Sequence, residues 1–389
     1  MKNVLKNLTG LLAGFVIGLA IAVLIIVLSG GDLAAFKSAS DVESHRLLWA
    51  IVSSLLSLIL AMMLNIMLHE AGHCLLGLLT GYRFVSYRVG SLTLLRDEQG
   101  RFHFRRYALA GTGGQCLMEP PARETGVPYL LYNAGGVLMN FMVAMGSMLV
   151  LSHHDLPMFW ECFFMMMVMA GLLMGLTNAI PFSKSYINND GRNILALWRH
   201  PELRKDFESQ LRMAAKLTYG KRLSEMPAAW FDIHQAEGYA DSITLAAQVN
   251  RIGWLEDQNL YEEARAYLEQ VKAATPTVPA LIQMEIDGEQ VLLELITTGR
   301  KEVVDRLWTR QLQSYVKTAA KSSAGKQTIL FAYELIYEGK EQQALDRFSS
   351  VKASLNRYAF PGEARAAIAT MEWMLEEKSR QTAGQQYDL

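Results

Sequence analysis

The stretch His69-Glu70-Ala71-Gly72-His73 carries two histidines four residues apart, with a glutamate next to the first. In an α-helix, side chains four positions apart share a face, so both imidazoles can reach one tetrahedral zinc ion at about 2.0–2.1 Å. Glu70 is then placed to take a proton from zinc-bound water and pass it to a leaving amine, because zinc lowers the pKa of that water to about 7. The motif predicts a zinc-dependent hydrolase in which Glu70 is the general base and acid.

The element that carries this motif belongs to the apolar first part of the chain. Four stretches there are long enough, at about 1.5 Å rise per residue, to cross a hydrocarbon core of about 30 Å. Ionisable residues beside such a stretch are costly in a membrane and usually mark function, which favours a catalytic role over a pair of structural histidines. The predicted transmembrane helices cover residues 9–29, 47–68, 129–151 and 158–180.

Basic residues in short loops indicate the orientation, because Lys and Arg resist translocation. Lys2 and Lys6 precede the first predicted span, seven arginines lie between the second and the third, and basic residues follow the fourth. The loops at 30–46 and 152–157 are poor in basic residues. We therefore expect an integral protein of a bacterial cell membrane with both termini in the cytoplasm. The part beyond the spans has no concentrated basic patch with interleaved aromatic residues, so we expect no nucleic-acid partner.

A catalytic zinc usually has three protein ligands and leaves a fourth position for water, so the motif needs another residue. His103 falls on a predicted hairpin, and His153 and His154 fall on the opposite side of the membrane. Asp190 follows the fourth predicted span on the cytoplasmic side and is the better candidate. A turn at Asn188-Asn189-Asp190-Gly191 ahead of a helix is the alternative interpretation of that residue.

Between the second and third spans the pattern changes from helical to strand-like. Phe84–Leu95 and Phe102–Leu109 are rich in aromatic and β-branched residues, and the turn-forming Asp97–Gly100 separates them, which predicts a β-hairpin. The glycine cluster at 111–114 and the prolines after it predict a loop that leads back to the membrane. Residues 81–128 should therefore form an insert at the cytoplasmic edge.

Beyond residue 200, charged faces and apolar residues three and four positions apart are typical of amphipathic helices. Four sets of residues recur at a spacing of 40, which predicts units of helix, turn and helix whose turn is made by Asn or Gly. The region resembles tetratricopeptide-type repeats, although their usual period is about 34 residues. An irregular helical bundle is the alternative. The recurring sets are Leu255, Leu295 and Leu335; Asn259, Gly299 and Gly339; Ala264, Val304 and Ala344; and Leu268, Trp308 and Phe348.

Four motifs between residues 47 and 195 together resemble the site-2 protease family of intramembrane zinc metalloproteases. Two departures from the family pattern accompany them: Gly136 stands where proline is common, and the link between Pro181 and Asp190 is unusually polar. The motifs are His69-Glu70-Ala71-Gly72-His73; Val89-Gly90 followed by Gly113-Gly114-Gln115-Cys116-Leu117-Met118; Asn133-Ala134-Gly135-Gly136-Val137-Leu138-Met139-Asn140; and Asn178-Ala179-Ile180-Pro181 leading to Asp190-Gly191.

The resemblance implies that Asp190 is the third zinc ligand, that Asn140 lies near the site, and that the hairpin with Gly113 and Gly114 holds an unwound substrate. A transmembrane helix hides its carbonyls in its own hydrogen bonds, so a protease must unwind it, and a strand edge can pair with the released backbone. Asn133, with the neighbouring Tyr132, is a further candidate as a hydrogen-bond donor to the tetrahedral oxyanion.

We therefore expect a mainly α-helical polytopic membrane protein. An anchor helix and external loop should occupy 1–46, an intramembrane metalloprotease core 47–199 with its hairpin insert at 81–128, and a cytoplasmic TPR-like domain 200–389. The expected activity is that of a zinc endopeptidase, which cleaves a transmembrane or signal-peptide-like segment of a membrane-bound protein or peptide precursor. The repeats would bind a cytoplasmic protein partner. The alternative is a catalytically inactive, membrane-tethered scaffold; a transporter is a more distant third, since the spans show no inverted repeat.

Overall fold

A computed structural model describes most of the chain beyond the first 43 residues. The anchor helix predicted at 9–29 lies outside the described residues. Within the described part the protein is mainly helical, with a small antiparallel sheet. The described ranges are 44–107, 113–122, 126, 128–153, 155–184, 187–233, 242–275 and 278–387.

Three long apolar helices pack against one another in all three pairings. They are α1 (Ser44–Leu79), α2 (Tyr129–His153) and α3 (Met158–Ala179). Each contains a stretch that is long and apolar enough to cross a membrane, and the stretch in α1 is Ile51–Leu79. Three of the four predicted spans thus coincide with helices of the required length and composition.

Polarity in this bundle is inverted relative to a protein that folds in water. Ile59 and Met145 expose more than half of their surface, at 57% and 60%, whereas the polar Asn65 and Asn140 are fully buried between the helices. In a water-soluble fold the large apolar side chains would be inside and the amides outside. The arrangement suits an apolar surrounding and concentrates the polar groups at the centre of the bundle.

The helix α1 ends at Leu79, not at the predicted end of the span, Leu68. The residues after the motif are mostly apolar and include no proline, so nothing interrupts the helical hydrogen bonds there. The helix stops where Gly81 takes a φ of 92° and the amide of Tyr82 bonds to the Gly77 carbonyl, a Schellman-type ending. The histidine motif therefore lies inside a continuous helix and not at its end.

The insert between α1 and α2 is a four-stranded antiparallel sheet with strand order β3-β2-β1-β4. The hairpin predicted around the turn Asp97–Gly100 is present as β2 and β3. The predicted single hairpin was nevertheless wrong as a description of the whole insert, because two more strands complete the sheet. The strands are β1 (Arg83–Val89), β2 (Leu92–Arg96), β3 (Phe102–Arg106) and β4 (Gly114–Glu119).

Two glycine-containing segments account for the error. The stretch Phe84–Leu95 is divided by a tight turn at Gly90, whose φ of 59° is a conformation that glycine adopts without strain. The glycine cluster was predicted to open a loop, yet Gly114 begins β4, in which Cys116 and Met118 are buried. Glycine marks loops and places of close packing alike, and here the second reason applies.

After α3, a short strand pair leads into two helices that contact the sheet and bundle. The pair is β5 (Ser183–Lys184) with β6 (Ile187–Asn188), followed by α4 (Asp190–Arg199) and α5 (Leu203–Thr218). Eight further helices complete the described chain. They are α6 (Ser242–Glu256), α7 (Tyr261–Ala274), α8 (Ala280–Ile296), α9 (Lys301–Leu307), α10 (Arg310–Ala319), α11 (Ala324–Ala332), α12 (Glu341–Ala353) and α13 (Pro361–Tyr387).

The turn residues that recur at a spacing of 40 share one backbone conformation. Asn259, Gly299 and Gly339 have φ angles of 60°, 62° and 69°, and each follows a helical segment. Left-handed residues at helix ends are typical caps, and glycine or asparagine is favoured there. The units differ elsewhere, because the second helix of the middle unit breaks at Trp308. The helix-turn-helix units are present, and their membership of the tetratricopeptide class stays a prediction.

The helix α5 packs against the sheet and connects it to the C-terminal helices. Ala215 on α5 packs with Val85 of β1 and Leu117 of β4 in one buried cluster. Lys216 Nζ lies 2.9 Å from a Glu119 carboxylate oxygen at the end of β4. The strand that begins at Gly114 is therefore held between α1 and α5.

Candidate metal centre

The centre is built from two histidines of α1 and one aspartate that begins α4. The Nε2 atoms of His69 and His73 lie 3.2 Å apart, because their positions on the helix differ by about one turn. Asp190 Oδ2 lies 3.2 Å from His69 Nε2 and 3.5 Å from His73 Nε2. One ligand atom from each residue thus converges on a single point, and His-His-carboxylate is a known donor set of catalytic zinc.

The far nitrogens of both imidazoles are held by oxygen atoms. His69 Nδ1 lies 2.6 Å from the Asn140 side-chain oxygen, and His73 Nδ1 lies 2.7 Å from the Tyr132 carbonyl. Since both partners are acceptors, Nδ1 carries the proton in each ring and donates it to them. The Nε2 lone pairs are left facing Asp190, which is the tautomer that a metal-binding histidine needs.

A buried amide pair fixes the orientation of His69. Asn140 Nδ2 donates to the backbone carbonyl and to the side-chain oxygen of Asn65, at 3.2 Å each. Asn65 in turn donates to the Ala61 carbonyl at 3.0 Å. Because Asn140 must present its NH₂ group to Asn65, its oxygen faces His69. Satisfied polar groups at the centre of an apolar bundle cannot shift without losing these bonds.

Asn189 ties the start of α4 to the end of α3. Its side-chain oxygen accepts from the amide of Arg192 at 2.9 Å, which caps α4. Its NH₂ group donates to the carbonyls of Thr177 and Ile180, both at 2.7 Å. The turn of the alternative interpretation is replaced by a helix start: Asn188 ends β6, Asn189 is the cap, and Asp190 and Gly191 already belong to α4. This helix start brings Asp190 to the two histidines.

Gly191 allows α4 to approach that closely, since a Cβ atom at this position would lie 2.2 Å from the Ala179 carbonyl oxygen. Asp190 Oδ2 is buried and makes no hydrogen bond of acceptable geometry. Burial opposes the charge of the Asp190 carboxylate, but the imidazoles of His69 and His73, when they carry protons on Nε2, lower its pKa to about 2; a divalent cation would take the place of those protons. An ionised, unsatisfied carboxylate oxygen beside two imidazole lone pairs fits a divalent cation.

Two glycine contacts bring α2 against the histidine face of α1. A Cβ at Gly72 would lie 2.2 Å from the Gly135 carbonyl oxygen, so the two backbones touch at that crossing. A Cβ at Gly136 would lie 2.5 Å from atoms of both imidazoles, His69 and His73. Only glycine fits at position 136, because a larger side chain there would occupy the space of the two imidazoles.

Glu70 lies under the first residues of β4. A Cβ at Gly114 would lie 2.7 Å from Glu70 Cγ and 2.9 Å from its Oε1, so only glycine fits over this carboxylate. The backbone amide of Cys116 faces the same carboxyl group. Gly113 contributes its carbonyl, which accepts from the Gly90 amide at 2.8 Å and closes the end of the sheet. Glu70 is thus next to the metal ligands and next to a strand edge.

Asn133 has structural partners for both ends of its amide. It donates to the Tyr129 carbonyl at 2.8 Å, and its oxygen accepts from Asn193 at 3.3 Å, which links α2 to α4. The structure does not bring His103 to the centre, because it lies on β3 and contacts Asp97. His153 ends α2, and His154 lies outside the described residues.

Three contributors to the centre were missed in the sequence. Asn65 had a usable signal, since it is a polar residue in an apolar span, one turn before His69. The Tyr132 carbonyl had none, because a backbone acceptor has no residue type. Asn189 gave only the general signal of a residue that favours turns and helix starts.

Comparisons of the chain with protein-family models, curated proteins and solved structures found no match. Among the described residues, His69, His73 and Asp190 form a group that can hold a metal ion, and the helices around it are long and apolar enough to cross a membrane.

Proposed function

We propose that the protein is an intramembrane zinc endopeptidase that cleaves a transmembrane or signal-peptide-like segment. The observation that carries the proposal is the buried group of His69, His73 and Asp190, with Glu70 beside it, at the centre of three apolar helices. The motifs that resemble site-2 proteases support the same conclusion. His69 precedes the end of α1 by ten residues, which corresponds to about 15 Å along the helix axis.

Each residue of the centre has a defined part in the chemistry. His69, His73 and Asp190 would hold zinc, and the hydrogen bonds at the two Nδ1 atoms keep the rings in position. When bound, zinc supplies Lewis-acid polarisation of the peptide carbonyl and lowers the pKa of coordinated water. Glu70 accepts a proton from the attacking water at its carboxylate and delivers it to the amine nitrogen of the leaving peptide.

The substrate is best accommodated as an extended segment along the outer edge of β4. This strand pairs with β1 on one side in the described chain, and its first residue, Gly114, lies over Glu70. A peptide added as a further strand would gain main-chain hydrogen bonds that compensate for unwinding its helix, in place of the bonds that Cys116 makes to the Glu70 carboxyl group and the Tyr132 hydroxyl. Its carbonyls then pass beside the Glu70 carboxylate.

Metal content tests the site. The full-length protein, purified in detergent, should carry one zinc per chain, and the variants His69→Ala and Asp190→Ala should lose it. Glu70→Gln is the matched control, because Glu70 is not a ligand and this variant should keep its zinc. Equal zinc in the wild type and in both ligand variants would overturn the metal site.

Activity tests the role of Glu70. Membranes that contain the Glu70→Gln variant should accumulate the uncleaved segment, because loss of a general base and acid lowers turnover by about 10²- to 10⁴-fold. The accumulated peptides are identified by mass spectrometry against membranes with the wild type. If the zinc-loaded wild type and Glu70→Gln leave identical peptides, the proteolytic function is wrong and the scaffold alternative takes its place.

A further inference from the structure

Two of the three cysteines of the chain meet where β4 packs on α1. Cys74 lies on α1, and Cys116 is buried on β4. Both belong to the same packed cluster, both are free, and their side chains share a hydrogen bond. Two thiols in contact can be joined by oxidation to a disulfide, which a single buried cysteine cannot do.

The strand β4 lies along one face of α1, with close contacts before and after the cysteine pair. Before the pair, a Cβ at Gly114 would lie 2.7 Å from Glu70 Cγ. After the pair, a Cβ at Gly77 would overlap the Met118 sulfur. Strand residues two positions apart share a face, as do helix residues three or four apart, so the two cysteines between these contacts face each other. The packing on both sides holds the two thiols together.

The three cysteines differ in their surroundings. Cys116 is only 5% exposed, whereas Cys74 is half-buried, so a small reagent reaches Cys74 first. Cys162 lies on α3, where its sulfur is 3.8 Å from the Ser54 hydroxyl of α1. The third cysteine therefore has a different neighbour and serves as an internal control for the pair.

We propose that Cys74 and Cys116 form a reversible disulfide that cross-links α1 to β4, with a hydroperoxide as the oxidant. Hydrogen peroxide oxidises the Cys74 thiol to a sulfenic acid and leaves as one water molecule. The Cys116 sulfur then attacks the Cys74 sulfur, the S–O bond breaks, and the hydroxyl group leaves with the Cys116 proton as a second water molecule. Two thiols and one peroxide thus give one disulfide and two waters.

Reduction returns the pair to thiols. Two molecules of a small thiol such as glutathione reduce the bond by exchange and are themselves joined as a disulfide. The cytoplasm, where basic residues predict this end of α1, is reducing, so the pair is normally in the thiol form. Disulfides of that compartment are usually transient and often sense oxidants.

The consequence for activity rests on the proposed function. A substrate strand at the edge of β4 has to replace the bonds of the Cys116 backbone, whose amide faces the Glu70 carboxyl group and whose carbonyl accepts from the Tyr132 hydroxyl at 3.0 Å. A bond from the Cys116 side chain to α1 restricts the movement that this replacement needs. The oxidised protein should therefore cleave its substrate more slowly than the reduced protein.

Counting of thiols in the full-length protein, purified in detergent, tests the cross-link. The protein is treated with hydrogen peroxide, unfolded and alkylated with a maleimide. The wild type has three cysteines and should retain one alkylated thiol after peroxide, then regain all three after dithiothreitol. Peptide mapping without reductant should recover the segments around Cys74 and Cys116 as one linked peptide.

Variants identify the pair. Cys162→Ala is the matched control and should form the same linked peptide, whereas Cys74→Ala and Cys116→Ala should form no internal link. Thermal unfolding shows that each variant is folded. Retention of all three thiols by the wild type, loss of thiols without a linked peptide, or a link through Cys162 would each overturn the proposal.

The cross-link and the protease activity are measured separately. Glu70→Gln should form the linked peptide as the wild type does, whether or not the protein cleaves peptides. In the zinc-loaded wild type, peroxide should lower turnover by about tenfold, roughly the effect of one lost hydrogen bond, and dithiothreitol should restore it. Turnover of Cys74→Ala should be the same before and after peroxide. A cross-linked wild type that cleaves at the rate of the reduced form would refute the effect on activity and leave the proteolytic function standing.

Discussion

The metal centre and the cavity of the C-terminal helices both bury ionisable groups, but they do so by different means. At the metal centre, each imidazole of His69 and His73 has its outer nitrogen held by an uncharged oxygen, and only the atoms that face one point are left. In the cavity, which is enclosed by α6, α8, α10, α11 and α13, Glu256 lies beside a second carboxyl group, Glu289, at the wall of a volume of about 820 Å³. The metal centre should therefore be sensitive to added side-chain volume, and the cavity to removal of an acidic group.

The largest effect should come from one added methyl group at the metal centre. Gly136→Ala places a Cβ 2.5 Å from atoms of His69 and His73, so the rings must move off the common point. We expect zinc affinity to fall by about 100-fold or more, since even loss of a supporting contact costs 10- to 100-fold. Metal content after dialysis against a chelator measures this.

The same helix offers a control for that substitution. Gly146→Ala adds a methyl group with nothing within 4 Å, so zinc should remain at the wild-type level. If both variants keep their zinc, the centre is less tightly packed than the distances around Gly136 indicate. The metal centre would then not be sensitive to added volume.

A smaller effect should follow loss of the amide that orients His69. Asn140→Ala removes the 2.6 Å contact to His69 Nδ1 but leaves all three ligands, so we expect zinc affinity to fall by about 10- to 100-fold. Competition with a zinc chelator measures the change. Asn178→Ala on α3 is a suitable control, because that amide bonds to the Met174 carbonyl of its own helix. Equal affinities for the two variants would contradict an orienting role.

Charge removal in the cavity should act on stability with a definite pH dependence. Burial raises the pKa of the Glu256 carboxyl, and the acidic Glu289 raises it further. The folded state therefore holds this proton more tightly than the unfolded chain, and stability is lost as pH rises above the unfolded pKa of about 4.3. Glu256→Gln should raise the unfolding temperature near neutral pH, and the gain should shrink as the pH falls towards that value.

Thermal unfolding across that pH range provides the measurement. Glu376→Gln, which removes an exposed glutamate of α13, is the variant in which no pH-dependent gain is expected. A Glu256→Gln variant whose unfolding temperature falls at neutral pH would show that Glu256 is a satisfied structural group.

The smallest effect concerns the turns that place helices around the cavity. Gly299 has a φ of 62°, so Gly299→Ala should cost about 1 kcal/mol of stability through strain in the left-handed conformation. Asn259 has the same conformation at the equivalent position, and Asn259→Gly should change stability little, because both residues tolerate it. Chemical unfolding of the two variants measures the difference. If Gly299→Ala and Asn259→Gly lower the free energy of unfolding by the same amount, the two turns are not equivalent.

Much of the fold near the metal centre could be predicted because its signals are local. Positions 69 and 73 share a helix face by spacing alone, and apolar length located three of the described helices. The structure also brings Asp190 to the two histidines, and its role as a zinc ligand stays a prediction. The sheet was harder to predict, because Gly90 and Gly114 have the same residue type but different roles, a turn and a close approach to Glu70.

The C-terminal region shows a different limit of sequence reasoning. A spacing of 40 residues revealed the turns at Asn259, Gly299 and Gly339, since a left-handed cap restricts the residue type. The sequence contains no comparable signal for the cavity. Glu256, Glu289 and Lys326 come from three helices, and each alone resembles a solvated charge on an amphipathic face. Only the packing of those helices shows that they face a common volume.

The position of Asp190 in the chain has a consequence for how the protein is made. His69 and His73 are synthesised with α1, but Asp190 emerges only after α2 and α3 have followed. Throughout that interval the nascent chain presents two imidazoles without their carboxylate. Under the proposed function, no chain can hydrolyse peptides until its third apolar helix has packed and Asn189 has capped α4 against it. Under the same proposal, the order of synthesis delays activity until the three helices and α4 are in place.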